Sequence, residues 1–209
     1  MKCFMHGVDK NAVEDSFRIL RERNFDAVVI PFEQEMIDMA QEYGLEPYVF
    51  SGTYSVGKEF NDDRYLSEDI YGKKHIWFGS TCPNKAEVRK HNIEQIRKKS
   101  SVKGVRGIFL DGARFSSPCS SSDFDSFFTC FCSDCRQKAE SLGFDFKRMY
   151  RDVKKLYDLI NNEGKASDTN WINALLGGLD MVYFCQSLPG LLDWLNFRRI
   201  CTTEHIAAV

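Results

Sequence analysis

An α/β fold built on a parallel sheet is the class this sequence predicts, and three observations predict it. Apolar runs of strand length recur at intervals of about 20 residues in the first half. These runs are continuously apolar rather than alternating, as in a parallel sheet covered by helices. Segments of helical period separate them.

The first run, 2–6, stops at Gly7, and Asp9 is a plausible helix N-cap for the segment carrying Val13, Phe17 and Leu20. The second run, 26–31, is closed by Pro31. A helix over 33–43 follows, with Met36, Ile37, Ala40 and Tyr43 on one side and Gly44 as its stop. A third strand is expected over 46–52. Residues 53–82 then break the rhythm with Tyr54, Phe60, Tyr65, Tyr71, Trp77 and Phe78. A loop this long and aromatic reads as an ordered binding loop. Helix resumes at Asn84 and Lys85, with Val88, Ile93 and Ile96 inward and a basic, solvated outer face. Residues 105–111 form the fourth strand, a Ser-rich loop covers 116–123, and a helix spans about 146–162. Residues 171–188 are apolar, and Pro189 and Gly190 open a last helix running to Val209. The chain stops on an apolar half-turn without a cap. The reading is a single domain over 1–209 holding the first four or so strand-helix units of a (β/α) barrel, a partial TIM barrel, against about 250 residues for a complete one.

With 209 residues, 43% of them hydrophobic and 28% charged, the chain is long enough to bury one good core or two small ones. A net charge of -2 removes the electrostatic case for nucleic acid or an anionic membrane. No apolar run reaches the roughly 18 residues of a membrane span, and the charged N-terminus fits no signal peptide. Cytoplasmic residence is expected.

Eight cysteines stand in the sequence. A cytosolic chain would not use them as disulfides, and Cys3, Cys185 and Cys201 read as small buried hydrophobes. Cys130, Cys132 and Cys135 fall on one turn entering a helix, which points to a metal. Three thiolates can cap one face of a zinc tetrahedron. The fourth ligand would be Cys82, Cys119 or a histidine such as His75, and the site would pin the 116–135 loop to the domain. An iron–sulfur cluster is the weaker alternative.

Cys82-Pro83-Asn84 before a helix, a strand ending in Leu110-Asp111, and the Cys-x-Cys-x-x-Cys turn together resemble the zinc-containing bacterial β-galactosidases. The helix from Leu191 to Arg198 is similar to one in the same family. The resemblance extends over about residues 80–205 and implies a (β/α)8 barrel with a four-cysteine zinc site, Cys82 being the fourth ligand. It also exposes a departure: Gly112 and Ala113 stand where the family has an Asn-Glu pair, so its acid/base is missing. The segment from Asp111 to Phe115 resembles in addition the strand end of α-amylase-type barrels, where such an aspartate is the nucleophile. Asp111 with Arg114 is thus the candidate catalytic pair; the alternative is a strand-terminating aspartate ion-paired to Arg114.

Barrel anatomy places catalytic groups at the C-terminal strand ends. His6 is expected on that rim, with Tyr54 and Trp77 as aromatic platforms for sugar rings. His75, His91 and His205 read as loop or helix-surface residues. There is no Gly-x-Gly-x-x-Gly, P-loop, Gly-x-Ser-x-Gly or His-Glu-x-x-His. Two functions remain: a glycoside-hydrolase-like barrel fragment with structural zinc, acting on or binding carbohydrate, or a non-catalytic zinc-stabilised domain that binds a sugar or protein. The exposed edges of a partial sheet would favour homo-oligomers.

Overall fold

The computed structural model describes residues 2–54, 62–75, 81–116, 124–163 and 187–209. Strands β1 (Phe4–His6), β2 (Ala27–Ile30), β3 (Glu46–Gly52) and β4 (Gly107–Asp111) form one sheet in that order. All three pairings are parallel, with Met5 opposite Val28, Val29 opposite Tyr48 and Gly52 opposite Asp111. Helices α1 (Val13–Glu22), α2 (Gln34–Glu42) and α3 (Ala86–Ser100) make the crossovers.

The side-chain period of two decides what each face meets. Met5, Val28, Ile30, Val49 and Ile108 point to the helices and close a first core with Phe17, Leu20, Met36, Ile37 and Ala40. Fully burying such a side chain is worth about 1.5–3 kcal/mol, so this layer holds α1 and α2 on the sheet. Gly44, at φ +71°, takes the left-handed conformation that ends α2 and lets Leu45 turn back into the core.

The opposite face is only partly covered. In β3, Tyr48 and Phe50 are half-buried while their neighbours Pro47, Val49 and Ser51 are buried. Phe4 and Phe109 are exposed. This face is concave. In a flat sheet β1 and β4 would lie about 14 Å apart, yet the His6 and Phe109 rings meet at 5.0 Å, and Phe4 meets Tyr48 at 5.1 Å.

A second core lies beyond β4, where α4 (Ser133–Ser141), α5 (Phe146–Glu163) and α6 (Pro189–Ala208) pack together. Trp194 is its centre, wholly buried and in ring contact with Phe127, Phe128 and Phe131. Asp152 fixes the entry of α6: its Oδ2 accepts the Gly190 N–H at 2.9 Å, a carboxylate at the positive end of the helix. Among the described residues no helix is long and apolar enough to cross a membrane.

Candidate metal centre and sheet rim

Four thiols from two distant parts of the chain converge in the second core. Cys82 precedes α3, Cys130 and Cys132 lie on the turn before α4, and Cys135 sits in the first turn of α4. All four are buried, and their sulfurs lie within 4.8 Å of one another. Cys82 and Cys135 sulfurs are 3.4 Å apart, and Cys132 and Cys82 sulfurs 3.6 Å. A tetrahedron with metal–sulfur bonds of about 2.3 Å has edges of about 3.8 Å, so the four donors fit one ion.

Several donors point at the sulfurs. The N-terminus of α4 directs its positive end at the cluster. Glu68 N–H donates to Cys130 Sγ at 3.4 Å, and Asn84 Nδ2 donates to both Cys135 Sγ and Cys201 Sγ at 3.2 Å. Hydrogen bonds from the neighbouring thiols hold Cys132 far below the usual thiol range. Burial pushes Cys82 up, and hydrogen bonding to Cys130 pushes Cys135 up. Without an ion the cluster therefore holds on to protons that a divalent cation would displace. Lys85 ion-pairs with Asp134 at 2.9 Å with only 12% of its side chain exposed.

Two other cysteine readings have definite outcomes. Cys201 is buried as expected, whereas Cys3 is exposed, lying just before the edge strand β1. Cys119 and Cys185 lie outside the described residues.

At the rim, Asp111 ends β4 on the same face as Phe109 and is half-buried. Its Oδ1 accepts the Gly112 N–H at 2.7 Å, and its backbone carbonyl accepts from Thr53 N–H at 3.1 Å, joining the exits of β3 and β4. Arg114 is exposed and reaches the Phe115 carbonyl at 3.4 Å. His6, through its contact with Phe109, comes to the concave face that carries Asp111. An apolar cavity of about 220 Å³ opens there, lined by His6, Gly7, Val29, Ile30 and Phe50 among others.

Tyr54 is not on this rim. Its side chain is fully buried in the second core, edge-on to Phe115 and His205, and its hydroxyl donates to Thr202 Oγ1 at 2.9 Å. Trp77 lies outside the described residues.

Two histidines expected at the surface are buried. His75 Nε2 meets Asp69 Oδ2 at 2.8 Å, and Asp69 Oδ1 accepts the Tyr71 and Lys73 N–H groups, which closes the turn. His205 Nε2 donates to the Thr53 carbonyl at 2.9 Å. Burial holds His205 below its ordinary value. His91 is half-buried on α3.

Sequence reasoning gave no role to Asn84 and Lys85, which stand beside the thiols, or to Arg198, which is buried on α6. The signal for Arg198 was a stripe: Trp194, Phe197, Arg198, Cys201 and His205 recur at helical spacing and are all buried.

No protein-family model matches the chain, and no curated protein does. Among solved structures, β-galactosidase from the psychrophilic Marinomonas ef1 is similar at a TM-score of 0.51 and 14% identity, over 68% of this chain and 26% of that one. The polyextremophilic β-galactosidase of the Antarctic haloarchaeon Halorubrum lacusprofundi gives 0.48 and 16%, over 68% and 25%. That of Bacillus circulans sp. alkalophilus gives 0.48 and 12%, over 80% and 26%. The first likeness is one of fold; the other two are too loose to carry an argument. This chain spans about a quarter of the length of each.

Proposed function

We propose that this chain is part of a glycoside-hydrolase-like (β/α) barrel that holds a structural zinc ion and acts on or binds carbohydrate. The observation that carries the proposal is the convergence of Cys82, Cys130, Cys132 and Cys135 at tetrahedral separations. It joins the parallel, concave sheet and the fold likeness in supporting the reading. Zinc would supply no reaction chemistry here: a closed four-thiolate site leaves no open position. Its contribution is to tie the turn at 130–135 to the start of α3, which fixes the ground beside the exit of β4.

The concave face supplies the sugar site in this proposal. Phe50 and Phe109 offer flat apolar surface to sugar C–H faces, and His6 and Asp111 offer hydrogen-bonding groups. Two carboxyls must act on the glycosidic bond, one protonating the leaving oxygen while the other attacks or activates water. The four strands end in His6, Ile30, Gly52 and Asp111, which supplies one. A barrel places its catalytic groups at strand ends, and the other three ends carry no carboxyl, so hydrolysis by the 209-residue chain alone is not expected. A non-catalytic sugar- or protein-binding domain is the second reading, favoured by Gly112 and Ala113 at the acid/base place.

The thiolates need a reducing compartment, which makes the cytoplasm the proposed location. The edges of β1 and β4 are proposed as sites of self-association. Elemental analysis of the purified, reduced protein tests the zinc proposal, with one equivalent expected. Glycan-array binding together with a nitrophenyl-glycoside screen tests the sugar site and separates binding from turnover. A metal-free protein that binds no sugar would overturn the proposal.

A further inference from the structure

A divalent ion held by four thiolates carries a net charge of 2−, and this one would sit in a core where all four sulfurs are buried. A buried charge is tolerated only when something opposes it. Two buried or half-buried cations stand in or beside that core.

Lys85 follows Cys82 by three residues and reaches Asp134, which stands between Cys132 and Cys135. Asp134 is 40% exposed and shares its charge with water, whereas Lys85 is turned inward.

Arg198 comes from α6. It is buried, yet among the described residues its hydrogen bonds go to neutral groups, the carbonyls of Phe127 at 3.1 Å and Ser116 at 2.7 Å. Its guanidinium lies over the rings of Trp194, Phe115 and Phe127 at 4.5, 4.8 and 5.1 Å. Trp194 in turn stacks on Phe131, the residue between Cys130 and Cys132. Among the described residues no carboxylate accepts a hydrogen bond from this guanidinium. The four thiols share the core into which Arg198 reaches through Trp194.

We propose that Lys85 and Arg198 are the counter-charges of a divalent-metal tetrathiolate, two cations matched to a 2− site; this rests on the metal reading above. Burial opposes the charge on both side chains. Tyr54, Cys130 and Cys135 work against that on Arg198, and Asp134, Cys132 and Cys82 do so on Lys85. Shape alone does not account for the choice, since methionine could fill either place with apolar atoms. Asn84 and the Glu68 N–H supply dipoles but no charge.

The test uses the full chain and its variants R198M, R198K, K85M and K85R. Zinc affinity is read by competition with a chromophoric chelator. Loss of a group supporting metal ligands typically costs 10–100-fold in affinity, so R198M and K85M are each expected to weaken zinc binding by about that factor. R198K and K85R should stay within a few-fold of wild type. The second readout is the reduction potential of the iron-substituted site, which moves one electron between the Fe(II) and Fe(III) tetrathiolates. Removing a nearby cation favours the less negative, ferric form, so the potential should fall in both methionine variants and hold in R198K and K85R. A purely structural role would not produce that pattern. Should R198M fail to fold, K85M decides. If wild type binds zinc and K85M matches it in both affinity and potential, the counter-charge proposal is overturned while the metal centre stands. A wild type without stoichiometric metal overturns both.

Discussion

Replacing Cys82 by serine removes the ligand that reaches the cluster from furthest away. Cys82 and Cys135 are 53 residues apart in sequence, whereas the other three ligands lie within one short turn. Treated as a cross-link, a tie that closes a loop of this length removes about 4 kcal/mol of chain entropy from the unfolded state at 25 °C. A tie across the local turn alone removes about half as much. For a chain of this size each kcal/mol moves the melting temperature by about 2–4 °C. Cys82→Ser should therefore melt about 8–16 °C below the zinc-loaded wild type. Cys132→Ser, which leaves Cys82 tied to Cys130 and Cys135, should lose less. The assay is differential scanning calorimetry in reducing buffer with one equivalent of zinc, repeated with excess chelator. Chelator should bring wild type close to Cys82→Ser and barely move the variant. A Cys82→Ser protein that melts with wild type and still responds to chelator would refute the ligand set; loss of metal in Cys119→Ser would then name the fourth ligand.

Trp194→Ala should cost about 3–5 kcal/mol, because the side chain is fully buried among three phenylalanines; calorimetry should show a melting temperature lower by about 6–20 °C. Protonating His205 charges a ring held below its ordinary value by burial and, secondarily, by Arg89. Its contribution is thus present above the unfolded-state value of about 6.5 and lost as pH falls below it. Melting curves from pH 8 to 5 should show wild type losing its advantage over His205→Asn in that window, and a constant gap would contradict the assignment. Light scattering after size exclusion should find the chain self-associated through the edges of β1 and β4, and a clean monomer would exclude that. The same sample should turn over no nitrophenyl glycoside, so measurable enzymatic hydrolysis would show that Asp111 already has its carboxyl partner within these 209 residues.

How far the sequence carries depends on the distance over which each feature is decided. β2 was legible because Ala27–Ile30 is apolar throughout and Pro31 closes it. The cysteine turn was legible because three ligands within six residues are a local pattern. Cys82 needed the family resemblance, since nothing near it in sequence says which distant turn it will meet. The buried histidines were read as surface residues for the same reason. His205 is satisfied by the carbonyl of Thr53, 152 residues away, and the Tyr54 hydroxyl by Thr202, 148 residues away. The cover of the concave face was not legible for another reason. A continuous apolar run shows that both faces of a strand avoid water, but not whether helices or the curl of the sheet itself provide the cover; His6 meeting Phe109 shows that curl supplies part of it.

The metal centre combines both cases. Local spacing sets out three of its four cysteines, and tertiary structure delivers Cys82 together with Lys85. A cysteine count finds the donors, but the proposed metal tetrathiolate would be a buried dianion that it leaves unopposed. The account balances only when α6, which contributes no ligand, is seen to bring a buried guanidinium into the same core. On this argument the last helix belongs to the metal centre as much as α4 does, and severing α6 from the chain should cost zinc affinity even with all four thiols in place.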